Sequence, residues 1–284
     1  MEFIKDIMKG MLVGVANIIP GVSGGTMAVS MGIYDKLITA ITHVFKDTKR
    51  SIKILTPIII GALFGVGGLA FVIRWLFANY PAQTNFLFIG LIIGGLPMMW
   101  KRTKKERIHA GAVIAFLLFL GLVILFPILG NGIDNEVVFV PGIAMFLKLL
   151  GVGVVASATM VIPGVSGSMM LMIMGFYNPI LNTITGFIEE ALSFNISGIM
   201  SYIWILVPFG IGVVVGIFAI AKFVEYVFEH APAVAYCAIL GLICGSPIAI
   251  LAMSNFNTVT AVTIITSIVA FAIGCVIAWK LGDE

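Results

Sequence analysis

The chain has 284 residues, of which 61% are hydrophobic and 10% charged, with a formal net charge of +3. Soluble domains carry about 25% charged residues, so a soluble enzyme and a disordered chain are both excluded. So small a net charge draws no phosphate-tracking stripe for nucleic acid, and the composition is that of a membrane protein with little outside the lipid.

The start is not a cleavable signal, because Glu2, Lys5, Asp6 and Lys9 interrupt its apolar residues. Phe3, Ile4, Ile7, Met8 and Met11 share one helical face opposite those charges, which predicts an amphipathic helix at the membrane surface. The apolar stretch 4–42 is broken in its middle by Pro20-Gly21-Val22-Ser23-Gly24-Gly25-Thr26. Its first half, about 15 residues, rises about 22 Å, short of a hydrocarbon core of about 30 Å. The stretch is therefore expected to enter the membrane, turn inside it and leave by the same face. Spans follow over 54–78, 84–100 and 109–129, then a linker over 130–140. A second broken stretch, 145–186, turns at Pro163-Gly164-Val165-Ser166-Gly167-Ser168, and spans 201–224, 233–252 and 259–279 close the chain.

Charge sets the orientation. Lys5 and Lys9 precede the first broken stretch, and Lys46, Lys49, Arg50 and Lys53 follow it, which places both flanks in the cytoplasm. Lys101, Arg102, Lys104, Lys105 and Arg107 mark a second cytoplasmic loop. Residues 79–84, the linker with Asp134 and Glu136, and the loop 187–200 with Glu189 and Glu190 hold no Lys or Arg and are expected outside. Both termini are then cytoplasmic. Cys237, Cys244 and Cys275 lie in apolar runs and read as small hydrophobes, and no metal-ligand spacing is present.

The chain repeats itself. The first break matches the second at an offset of 143 residues (Pro20 to Pro163), carried on through Met31/Met174, Gly32/Gly175 and Tyr34/Tyr177. A second block matches at an offset of 151 (Pro57 to Pro208), through Gly61/Gly212, Gly65/Gly216, Gly90/Gly241 and Gly94/Gly245. Residues 1–129 thus form one repeat and 141–284 a second. Each is one re-entrant hairpin plus three spans. Three is odd, so the second copy sits inverted. The predicted fold is an all-α polytopic membrane protein of two inverted-topology repeats, the layout of secondary transporters.

The breaks hold the parts of an anion site. Glycine admits close backbone approach. The N–H groups of Gly24, Gly25 and Thr26 would open the second half-helix at its positive end. Ser23 and Thr26 add hydroxyls, and Ser166, Gly167 and Ser168 offer the same from the other copy. Close helix packing and simple helix capping explain small residues and serine at such a tip as well. Arg74 and its repeat partner Glu225 are charges near membrane depth: either an anion attractor and a proton carrier, or side chains snorkelling to the interface. Asn17 either ties down freed carbonyls or touches the ligand.

At these residues the sequence resembles the PopT family of bacterial membrane proteins, through the two Pro-Gly-Val-Ser-Gly motifs with Gly32-Ile33-Tyr34 and Gly175-Phe176-Tyr177 after them. The resemblance covers essentially the whole chain. It implies transport of undecaprenyl phosphate across the cytoplasmic membrane, from the outer to the inner leaflet, to recycle the carrier lipid of cell-wall synthesis. It implies no enzyme, no cofactor and no nucleic-acid partner, only a polyprenyl-phosphate lipid and the surrounding membrane lipids. Energy is expected from a proton or sodium gradient or from the substrate's own, since no Gly-Lys-Ser/Thr phosphate loop is present. One rival is an undecaprenyl-diphosphate phosphatase, whose Pro-Gly-x-Ser-Arg-Ser motif is similar. Here Gly24 and Gly167 stand where its phosphate-clamping arginine would be. The other is a carrier for a small inorganic anion.

Overall fold

The computed structural model describes residues 2–18, 22–130, 137–252, 254 and 260–282, without the side chains of residues 18, 70, 74 and 126–130. The described residues are helical or in short connections, with no strand among them. In order the helices are α1 (Glu2–Ile18), α2 (Gly24–Ser30), α3 (Tyr34–Thr42), α4 (Thr48–Phe64), a π-helical turn (Gly65–Leu69), α5 (Ala70–Asn79), α6 (Pro81–Thr103), α7 (Ala110–Gly130), α8 (Ile143–Val161), α9 (Gly167–Ile173), α10 (Tyr177–Leu192), α11 (Ile196–His230), α12 (Pro232–Ala252) and α13 (Ala261–Gly282). Six are long and apolar enough to cross a bilayer, or seven if the bent pair α9–α10 forms one span. The chain is a multi-pass membrane protein.

Two compact units divide it. The first holds residues 1–129, 162–166 and 221–284, and the second holds 130–161 and 167–220. In the first unit, α1 lies along α4 with glycine at each close approach. A Cβ on Gly10 would strike the backbone of Ile58, one on Gly61 that of Ile7, and one on Gly65 that of Met11. In the second unit, α8 meets α11 in the same way, with Gly153 on Phe209, Gly212 on Leu150 and Gly216 on Val154. These are the same contacts displaced by 143 residues on one helix and 151 on the other. Backbones that touch through glycine gain dispersion and remove lipid, which is how helices associate where no hydrophobic drive acts between them.

The remaining spans of the first unit are exchanged. Gly90 of α6 packs on the backbone of Phe271 and Cys275 in α13, and Gly274 of α13 returns the contact on Leu87 and Leu91. Its counterpart Gly241 of α12 packs on Phe116 and Leu120 of α7. The second span of each sequence repeat is thus seated on the third span of the other. Most of the buried side chains of these helices belong to α6 and α12, which are the most enclosed.

The half-helices end identically. Gly32 and Gly175 both have positive φ, +70° and +75°. Gly32 N–H donates to the Val29 carbonyl at 3.0 Å and Ile33 N–H to that of Ala28 at 3.0 Å; Gly175 donates to Met172 and Phe176 to Leu171, both at 2.9 Å. This paired pattern is a Schellman turn, and glycine supplies its left-handed residue without a Cβ penalty. After the turn α10 departs from α9 at 112°. The glycines of the two Gly-x-Tyr motifs are therefore helix stops.

Several sequence expectations are corrected. The amphipathic start is the first part of α1, and of its charged residues Lys9 turns inward, only 2% exposed, while Phe3 and Ile4 are 54% and 64% exposed. A helix whose apolar side faces outward and whose lysine faces protein suits lipid surroundings, where the exposed face gains nothing from charge. The first limbs are longer than expected, 17 residues for α1 and 19 for α8; α8 rises about 28 Å and by itself nearly matches the bilayer core. Residues 187–192 are the last turns of α10, so the loop expected over 187–200 shrinks to Ser193, Phe194 and Asn195. The span expected over 201–224 is part of the 35-residue α11. The span expected over 54–78 is interrupted by the π-helical turn. Most of the linker 130–140 lies outside the described residues.

Candidate functional site

The first elbow lies between α1 and α2. Its Pro20 and Gly21 fall outside the described residues. Ser23 takes the N-cap position of α2 with extended backbone (φ −101°, ψ 133°), and its carbonyl accepts the Met27 N–H at 3.1 Å. Its hydroxyl does not cap the helix. The side chain is 4% exposed, and Oγ has no hydrogen-bond partner among the described residues. Simple capping therefore does not account for this serine. Gly24, Gly25 and Thr26 are buried behind it. Asn17 donates from its carboxamide to the Val13 carbonyl, one turn earlier in α1, at 3.1 Å. The same carboxamide covers Gly24, where a Cβ would strike it.

The second elbow meets the first. Gly164, at φ +82°, donates its backbone N–H to Thr26 Oγ1 at 2.6 Å. A Cβ on Gly164 would crowd Leu242 and Val123, so both conformation and space call for glycine. Val165 anchors the elbow in an apolar cluster with Val123, Leu242 and Ala249. Ser166 is half-buried, Gly167 is buried and Ser168 half-buried at the start of α9. Thr26 is fully buried, so its role as acceptor for Gly164 is structural, while its own proton remains to be donated.

That bond makes a direct test. Thr26→Val removes the acceptor, leaves a buried N–H unsatisfied and is expected to cost about 1–3 kcal/mol, whereas Thr26→Ser stays near the parent. Thermal unfolding of the two purified variants in detergent separates them.

The charged suspects lie elsewhere. Glu225 of α11 meets the end of α3: Thr42 Oγ1 donates to its Oε1 at 2.9 Å, and His43 Nδ1 lies 3.3 Å from the same oxygen. The side chain of Arg74, on α5, lies outside the described residues. Three features escaped the sequence reading. Lys9 is buried, Asp35 pairs with Arg102 of α6, and His43 contacts Glu225. An ionisable residue inside an apolar run is the signal that flags Lys9; its inward direction needed the position of α4.

A family model described as undecaprenyl phosphate translocase-like (VCA0040-like) matches residues 13–267. The chain belongs to that family. A polyprenyl-phosphate transporter of Staphylococcus aureus is 32% identical over 284 residues, covering 98% of this chain and 95% of the relative. One of Vibrio cholerae is 27% identical over 218 residues, covering 70% of this chain and 66% of the relative. Both carry the name of a transporter and neither that of an enzyme, which speaks against the phosphatase reading. No solved structure matches the chain.

Proposed function

We propose that this protein transports a polyprenyl phosphate, undecaprenyl phosphate for cell-wall carrier recycling, from the outer to the inner leaflet of the bacterial cytoplasmic membrane. The observation that carries the reading is the meeting of the two elbows through Gly164 and Thr26, beside the buried hydroxyl of Ser23, which has no hydrogen-bond partner among the described residues. A hydroxyl left without a partner in a buried site is costly unless something else completes it. The oxygens of a phosphate monoester are such acceptors. Ser23, Gly24, Gly25 and Thr26 contribute from the first elbow, and Ser166 from the second. A phosphate cannot cross hydrocarbon bare, since burying an unpaired charge nominally costs tens of kcal/mol. The polyprenyl tail stays in apolar surroundings throughout. The first unit's basic segments at 46–53 and 101–107 face the cytoplasm in this reading, and the matched glycine contacts support the repeat itself.

Coupling is assigned to a proton gradient through Glu225, His43 and Thr42, a carboxylate and an imidazole within reach of one oxygen; a sodium gradient is the other candidate. The test is leaflet exchange of a polyprenyl phosphate in liposomes holding the purified protein. Exchange above protein-free liposomes, raised by a proton gradient, is expected. Glu225→Gln should keep basal exchange and lose the response to the gradient. Exchange no faster than in empty liposomes rejects the transport reading. A response carried by sodium alone moves the coupling elsewhere.

A further inference from the structure

A second polar site lies away from the elbows. The last turns of α6 and α13 enclose a cavity of about 220 Å³ in the first unit. Its walls carry Lys101 and Arg102 from α6, Lys105 from the turn that follows α6, and Trp279 and Gly282 from α13. Lys101 and Lys105 thus reach the same pocket from the last turn of α6 and from the turn after it. Neither side chain has an ion pair or hydrogen bond among the described residues. Arg102 is held differently. It pairs with Asp35 at the start of α3 and hydrogen-bonds Tyr236, so its guanidinium is held, while Lys101 and Lys105 have no such partner among the described residues.

The surroundings favour a lipid over a solute. Pro97, Met98 and Ala278 make the inner wall apolar, and Trp279 stands 60% exposed at the rim, where an indole ring sits well between headgroups and chains. Gly94 and Gly95 add no side chains to the floor. A site of this kind is lined by two lysines without an ion pair among the described residues, by apolar side chains and by an amphipathic ring. Basic pockets of this sort between membrane helices suit the phosphate of a lipid headgroup.

We propose that this pocket seats the phosphate headgroup of an anionic membrane lipid, with Lys101 and Lys105 on the phosphate, Arg102 as a positioning residue braced by Asp35, and the acyl chains along Met98 and Trp279. The site is separate from the elbows and does not depend on the transport reading. The two acidic residues that follow Gly282, Asp283 and Glu284, lie outside the described residues, so the protein is used at full length.

The test measures binding of fluorescent phosphatidic acid to the full-length protein in neutral detergent micelles. Lys101→Ala with Lys105→Ala is expected to weaken binding at least tenfold. Lys104→Ala removes the same charge from the same helix end without touching the pocket wall, and is expected to change it less than twofold. Unlabelled phosphatidic acid should displace the probe, and millimolar inorganic phosphate should not. Equal losses in the Lys104 variant and the double variant reduce the effect to diffuse charge and overturn the site. An unchanged double variant overturns it as well. Displacement by inorganic phosphate as readily as by lipid overturns the lipid assignment. The probe has no polyprenyl chain and the readout is not leaflet exchange, so a negative result here leaves the transport proposal standing, and the reverse also holds.

Discussion

Ser23→Ala is expected to separate stability from function. The hydroxyl of Ser23 makes no hydrogen bond among the described residues, so its removal breaks none of their hydrogen bonds. The variant should unfold at the same temperature as the parent or slightly above it, because a buried orphan hydroxyl is gone. Binding of the lipid phosphate should behave oppositely. A hydrogen bond to a charged group contributes about 1.5–3 kcal/mol, which converts to a loss of about tenfold to a hundredfold in affinity. Ser166→Ala is expected to lose affinity in the same range. The measurements are thermal unfolding in detergent and equilibrium binding of a short-chain polyprenyl phosphate, made on the same preparations. Unchanged affinity in both variants removes the hydroxyls from recognition. A drop in stability for Ser23→Ala shows that the hydroxyl serves the fold.

The largest structural effect is expected at Gly90. A side chain there meets the backbone of Phe271 and Cys275, not a movable side-chain tip. Overpacking typically costs 1–3 kcal/mol when side chains can shift. Here helix α13 itself must move, and Gly274 on its facing side is as tightly held. Gly90→Leu should therefore lose more than about 3 kcal/mol and yield little folded protein by size exclusion. Gly121→Leu is the matched control. Nothing lies within 4 Å of its position, and leucine is a better helix former than glycine by up to about 1 kcal/mol. Comparable yields of the two variants would mean that α6 and α13 do not depend on this approach.

Much of the architecture was legible because the membrane makes composition speak. Runs near 20 apolar residues marked the spans, and the Pro-Gly-Val-Ser-Gly breaks marked the elbows at the right residues. Glycines spaced at constant offsets turned out to mark helix contacts, since Gly61 and Gly212 hold matching approaches. What the sequence hid depends on neighbours. Lys9 looked like part of a wet face, and only the seat of α1 on α4 shows it turned inward. Gly32 and Gly175 were visible as motif residues, yet a Schellman turn needs the two hydrogen bonds behind it, and the 112° bend follows from them. The bond from Gly164 to Thr26 joins residues far apart in sequence, which no local pattern encodes. The pairings of α6 with α13 and α12 with α7 were invisible for the same reason. They tie α6 and α7 of one sequence repeat to α13 and α12 of the other.

The exchanged pairing also constrains how the protein is made. Helix α6 leaves the ribosome early, and the surface that fits its glycine face is on α13, which is made much later. Until α13 is made, that face has only lipid or the insertion machinery against it. Loss of α13 would therefore leave a helix of the first sequence repeat without its seat.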